Sequence, residues 1–173
     1  MAKVYLISDL HIGHTGIHEK WRKDFCSQSD HDETMVDAWN TVVRGGDIVK
    51  VLGDFIMGQE ALKYLHHLNG QIHWFLGNHD VKITRHIMEE YKNVSYCAGI
   101  MAYKGAVLSH VPVHPGELSE EYRSWNFNIH GHIHAPEKNQ AVTDDPKYYN
   151  VNADIMGYFP REFHSIMREC GKE

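Results

Sequence analysis

The chain of 173 residues carries a formal charge of −6 with histidine neutral, and 15 of its residues are histidine. That length suits one domain, residues 1–173, with a sizeable core, while a mildly acidic chain argues against tight nonspecific nucleic-acid binding, which needs clustered Lys and Arg. No apolar run reaches membrane-spanning length, Met1-Ala2-Lys3 opens no signal-peptide layout, and Cys26, Cys97 and Cys170 have no metal-ligand spacing, so a reducing cytoplasm is the expected location.

Val4-Tyr5-Leu6-Ile7 is a β-favouring run that predicts a buried strand. It leads into Asp9 and His11, whose alternation lets both face one site just past the strand end, with His14 beyond them. Trp21 and Phe25 read as packing anchors, and Lys20, Arg22 and Lys23 as a solvated basic face. Asp30 and Glu33 resemble a capping box, and Met35, Trp39 and Val42 behind them recur at helical spacing. They predict an amphipathic helix to about Arg44, stopped by Gly45-Gly46. Residues 47–52 form a second strand that runs into Gly53-Asp54. A helix over Gln59–Leu68 buries Leu62, Leu65 and Leu68, and leaves His66 and His67 to the surface or to packing. The third strand, Ile72–Leu76, ends in Gly77-Asn78-His79-Asp80. Three successive strands ending in metal-competent side chains describe a site assembled at one edge of a sheet.

Val81–Tyr91 reads as a helix, and Val94–Cys97 and Ile100–Tyr103 as strands, with Lys104-Gly105 as a hairpin turn. Ala106–Ser109 returns as a strand that delivers His110, and the loop to Trp125 holds His114 and at most one helical turn. Next comes Asn128-Ile129-His130-Gly131-His132-Ile133-His134. On a strand-like backbone its three histidines point the same way, a pattern suited to a transition metal, and Gly131 admits a close approach to the backbone. Residues 135–146 read as a polar loop, Tyr148–Val151 as the last strand and Pro160–Glu169 as a terminal helix; Asn150, Asn152 and Asp154 alternate, either behind the ligands or towards solvent. Strands alternating with helices predict an α/β fold.

Asp9, His11, Asp54, Asn78, His79, His110, His132 and His134 together offer oxygen and imidazole donors without thiolate, a set that suits Mn, Fe or Zn. They are too many for one ion and divide into two shells that share a carboxylate, an arrangement that clamps a phosphoryl group between two ions.

The ordered series Asp9-x-His11, Gly53-Asp54, Gly77-Asn78-His79-Asp80, His110 and Gly131-His132-x-His134 resembles the calcineurin-like metallophosphoesterase superfamily, over residues 9–134 and especially its small bacterial and phage members. The resemblance implies two β-sheets packed in a sandwich flanked by helices, with the strands past residue 147 completing the second sheet. It implies that Asp9, His11 and His134 hold one ion, that Asn78, His110 and His132 hold the other, and that Asp54 bridges them. The ions are expected to be divalent, Mn first, with Fe, Zn, Ni or Mg accepted. His79 would contact the phosphate and protonate the leaving oxygen, Asp80 would orient His79, and Asn78 and His14 are further candidates to touch substrate. His130 falls outside the ligand pattern, which leaves it supporting the ligands or packing in the core. The implied activity is hydrolysis of small phosphodiesters by a metal-bridging hydroxide, with monoesters as the second choice. A nuclease using the same centre is the rival reading and requires a basic track, for which Arg44, Lys50, Lys82 and Arg85 are scattered candidates. A non-catalytic scaffold is the third reading, disfavoured by the complete ligand set. Oligomeric state is not legible in the sequence.

Overall fold

The computed structural model describes residues 2–80, 85–97, 99–119, 125–134 and 140–172. In chain order the strands are β1 (Val4–Ile7), β2 (Ile48–Leu52), β3 (Gln71–Phe75), β4 (Val94–Cys97), β5 (Ile100–Tyr103), β6 (Ala106–Ser109), β7 (Phe127–His130), β8 (Tyr148–Asn150) and β9 (Arg161–Glu162). The α-helices are α1 (Ile17–Lys20), α2 (Gln28–Val42), α3 (Arg85–Glu90), α4 (Gln140–Thr143), α5 (Ala153–Met156) and α6 (Phe163–Glu169), joined by 3-10 helices at Gln59–His67 and Pro115–Glu117.

Two sheets pack face to face with helices outside them, an α/β sandwich as expected. The first has five strands in the order β4-β3-β2-β1-β9 and the second four in the order β5-β6-β7-β8. β1 to β4 run parallel, as do β6, β7 and β8. Buried on both faces, a parallel strand reads as a nearly continuous apolar run. On one face of the first sheet Ile7, Val49, Val51 and Trp74 pack under Met35, Trp39 and Leu65. On the other, Leu6, Leu52 and Phe75 meet Leu108, Phe127 and Ile129 of the second sheet, closed at one end by Phe163 and Ile166 of α6.

The parallel strands bring their C-terminal ends to one edge, and the loops beyond stay zipped together. Asp9 N donates to Gly53 O at 3.0 Å, His11 N to Asp54 O at 2.9 Å, and Ile12 N to Phe55 O at 2.9 Å. These loops are therefore extensions of the sheet and supply a rigid base for side chains.

Several expected boundaries shift for local reasons. Ser27 rather than Asp30 caps α2: its hydroxyl accepts from Asp30 N at 3.1 Å, while the Asp30 carboxylate reaches back to Cys26 N at 2.8 Å. The bonding resembles a capping box set three residues earlier, with the returning bond one residue before the cap. Gln59–His67 is a 3-10 helix, which the strict three-residue spacing of Leu62, Leu65 and Leu68 anticipates. β8 completes the second sheet as expected, but Arg161–Glu162 forms a further strand that pairs antiparallel with Tyr5 and Leu6 of the first sheet, so the terminal helix starts at Phe163 and not at Pro160. α4 lies within the expected polar loop. The hairpin turn is as expected, with Lys104 and Gly105 both at positive φ. Of the helix expected over 81–91, residues 81–84 lie outside the described residues.

Candidate metal centre

Five strand ends converge on one site. The loop after β1 brings Asp9 and His11, the loop after β2 brings Asp54, and that after β3 brings Asn78, His79 and Asp80, while β6 and β7 lead into His110 and into His132 and His134. Metal-competent atoms of Asp9, His11 and His134 lie within 4.8 Å of one another, and so do those of Asp54, His110 and His132. Asn78 Oδ1, 2.9 Å from His110 Nε2, adjoins the second group.

The backbone is bent to make these groups. Of six non-glycine residues at positive φ among the described residues, four are Asp9, His11, Asp54 and His132. Such a conformation costs each about 1–3 kcal/mol, and its concentration in one place is the mark of a functional constraint. Glycine is required beside them: a Cβ on Gly131 would meet Ser8 Oγ and Asp9 Oδ2, and one on Gly77 would meet Asp54 Oδ1.

The expected common direction of His130, His132 and His134 is not what the structure has. β7 ends at His130, and His132 at φ 66° breaks the alternation. His132 joins the second group and His134 the first. His130 is buried, with its ring 5.9 Å from that of Tyr148 and its Nδ1 donating to Gly131 O at 2.8 Å, so it packs in the core.

Three observations fit these residues to metal ions. Asp9 Oδ1 is buried without a hydrogen bond, although it lies 3.3 Å from His134 Nε2 and 3.9 Å from His11 Nε2. The His11 and His134 Nε2 atoms face each other at 3.2 Å. The opposite ring nitrogens are engaged elsewhere: His11 Nδ1 with Met57 Sδ at 3.3 Å, His110 Nδ1 with Leu52 O at 2.8 Å and His134 Nδ1 with Asp154 Oδ2 at 2.6 Å. Each of these Nδ1 atoms then carries the proton and leaves Nε2 free to coordinate.

The charges agree. Burial pushes His11 down to about 4 and lowers His132, so both present lone pairs at neutral pH. Burial works against the Asp54 carboxylate, but His110 and the His79 amide outweigh it and hold its carboxyl near 2. Burial alone would lower His134, yet Asp154 and Asp9 raise it to about 9; Asp54 and Asp9 likewise raise His110 against its burial. The proton on His134 thus supplies positive charge at neutral pH that a divalent cation would supply in its place.

Asp80 corrects one expectation. Its Oδ2 accepts from Asp54 N at 2.9 Å and Gly77 N at 2.7 Å, and its Oδ1 from Phe55 N at 2.6 Å and Ile56 N at 3.3 Å. Instead of orienting His79, the carboxylate ties the two loops together. His79 is exposed, its ring 6.0 Å from that of His11 and its amide donating to Asp54 Oδ1 at 2.8 Å. The His14 ring is also 6.0 Å from His11. His114 lies outside the site, where its Nδ1 caps a 3-10 turn by accepting from Gly116 N.

Of the two alternatives open for Asp154, behind the ligands or towards solvent, the structure has the first, since its carboxylate meets His134. Arg22 escapes sequence reading: part of a basic cluster expected to face solvent, it is only 4% exposed. Its Nε donates to Asp154 Oδ1 at 2.7 Å and its Nη2 to Asp9 O at 2.6 Å. An isolated arginine among lysines gives no signal of such burial.

The uncharacterised protein MJ1445 of Methanocaldococcus jannaschii is 31% identical over 180 residues, covering 99% of this chain and 94% of its own. The chain belongs to the MJ1445 family. The Gene 66 protein of Mycobacterium phage L5 is 30% identical over 165 residues, covering 79% of each chain. No family model matches the chain. The crystal structure of AQ665, a protein of unknown function from Aquifex aeolicus, superposes with TM-score 0.69 at 24% identity, over 98% of this chain and 100% of that one. The Pseudomonas putida nuclease MPE superposes with TM-score 0.52 at 17% identity, over 76% of this chain and 61% of that one. The last two likenesses establish the fold shared by these chains. Among the described residues no helix is long and apolar enough to cross a membrane.

Proposed function

We propose that this member of the MJ1445 family is a metallophosphoesterase of the calcineurin-like superfamily that hydrolyses phosphodiesters, using Asp9, His11 and His134 for one divalent ion and Asn78, His110 and His132 for a second, with Asp54 between them. The observation that carries the reading is the pair of carboxylate–imidazole groups at one sheet edge, built on residues forced to positive φ. Oxygen and imidazole donors without thiolate accept Mn, Fe, Zn, Ni or Mg, and the resemblance to the superfamily puts Mn first. Such ions, when bound, neutralise phosphoryl charge and acidify water. The side chains do the rest. Asp9 and Asp54 supply fixed negative charge, while His11 and His132 present neutral nitrogens. The exposed His79 is held by its own amide on Asp54 Oδ1, next to His11, where its imidazole gives a proton to the leaving oxygen. His14, whose ring also lies beside that of His11, contacts the substrate phosphate.

The preferred substrate is a small phosphate diester. Cutting of nucleic acid is the second reading, favoured by the shared fold of the P. putida nuclease MPE. Two of the four residues available for a basic track do not contribute to it: Lys50 is buried, and Arg44 precedes β2, at the end of that strand remote from Asp54. Lys82 lies outside the described residues, and Arg85 opens α3.

The test is hydrolysis of bis-p-nitrophenyl phosphate and p-nitrophenyl phosphate by chelator-stripped protein resupplied with Mn, Ni, Zn or Mg. Metal-restored turnover of the diester above the monoester is the expected result. Faster monoester turnover would make the protein a phosphatase, cutting of a labelled oligonucleotide would favour the nuclease, and no activity with any metal would overturn the reading.

A further inference from the structure

The two candidate metal groups are held differently, and the difference lies behind His134. His110 of the second group is oriented by a main-chain carbonyl, that of Leu52. His134 of the first is oriented by a carboxylate, Asp154 Oδ2, at 2.6 Å. The other oxygen of that carboxylate is gripped by Arg22 Nε at 2.7 Å. The rest of the guanidinium is spent on the strained turn beneath the same group: Nη2 donates to Asp9 O at 2.6 Å and Nη1 to Leu10 O at 2.9 Å. These carbonyls lie within the stretch in which Asp9 and His11 stand at φ 59° and 52°.

The network then closes on itself. Arg22 Nη1 also donates to His31 Nε2 at 2.7 Å, His31 Nδ1 donates to Asp32 Oδ1 at 2.8 Å, and that oxygen accepts from Gly13 N at 3.0 Å, two residues past His11. Arg22, His31 and Asp32 are each 4% exposed or less. A fork of donors with fixed geometry is what this position demands: one cation reaches a carboxylate and two carbonyls in different directions, which a single ammonium point cannot do.

We infer that Arg22 and Asp154 are positioning residues for the first metal group alone, Asp154 by aiming His134 and Arg22 by clamping both Asp154 and the Asp9–His11 turn. The inference rests on the proposed reading that the two groups hold metal ions. Carboxylates and other partners behind a metal-binding histidine typically affect affinity about 10–100-fold, and here the effect falls on one ion of two.

The test is Mn2+ titration by calorimetry, with folding checked by thermal melts. Asp154→Asn keeps the side-chain shape and is the primary variant; Arg22→Met and Arg22→Lys follow. Asp154→Asn is introduced into a His132→Ala background, which leaves the first group, and into a His11→Ala background, which leaves the second. A loss of about 10–100-fold in the first background with no change in the second is expected. Arg22→Lys should weaken the same ion, because the charge without the fork does not bridge these partners. Equal losses in both backgrounds, or none in either, would overturn the inference, as would wild-type affinities in Arg22→Lys. Protein that binds no Mn2+ even before substitution would instead overturn the metal reading itself.

Discussion

Replacing Asp80 by asparagine separates two roles for a residue that its sequence neighbourhood ties to His79. Each of its oxygens accepts from two backbone amides, Asp54 N and Gly77 N on one side, Phe55 N and Ile56 N on the other. An amide in its place turns an NH2 group towards one of these pairs whichever way it sits, so two donors lose their acceptor. Hydrogen bonds to a charged group contribute about 1.5–3 kcal/mol each, so two lost bonds cost about 3–6 kcal/mol, a large part of the ~5–15 kcal/mol that holds a domain folded. At about 2–4 °C per kcal/mol for a chain of this size, a 4 kcal/mol loss lowers Tm by roughly 8–16 °C. The assay is a thermal melt followed by circular dichroism, in chelator and again in Mn2+. An Asp80→Asn protein that melts with the wild type and loses only turnover would refute this account and return Asp80 to orienting His79.

His79→Ala should lower turnover of bis-p-nitrophenyl phosphate while two ions stay bound, and calorimetric loss of an ion would contradict the role given to its side chain. Gly131→Ala drives a Cβ against Ser8 Oγ and Asp9 Oδ2; overpacking of this kind costs about 1–3 kcal/mol, read by urea denaturation, and should weaken Mn2+ binding as well. Chelator-treated protein should be most stable near pH 6.5, the ordinary histidine value. His134, raised to about 9, stabilises the fold below that value and loses the contribution as pH climbs through 9. His11 and His130, each pushed down to about 4 by burial, stabilise it above that value and lose theirs as pH falls through 4. A Tm that rises steadily from pH 6.5 to 9 would contradict the His134 shift.

What the sequence discloses here is what repeats. β1, β2 and β3 each announce themselves by an apolar run and then by a polar residue at the strand end, so the convergence of Asp9, Asp54 and Asn78 could be read before the fold. The strand pair β1–β9 could not, because Arg161–Glu162 is too short to show a period and gains its pairing only from Tyr5 and Leu6. The histidine string misleads in direction though not in membership: alternation assumes a strand, and the positive φ of His132 sends neighbouring imidazoles into separate groups. Arg22 and Asp154 are 132 positions apart; alternation leaves Asp154 open between the ligands and solvent, and nothing local distinguishes Arg22 from a residue in water. Their pairing is a product of the finished fold.

The central claim is that two ions occupy this edge. Anomalous diffraction from Mn2+-loaded crystals tests it most directly. Two peaks about 3.5–4 Å apart are predicted, one among Asp9, His11 and His134 and one among Asp54, His110 and His132. A single peak, or density elsewhere on the chain, would contradict it.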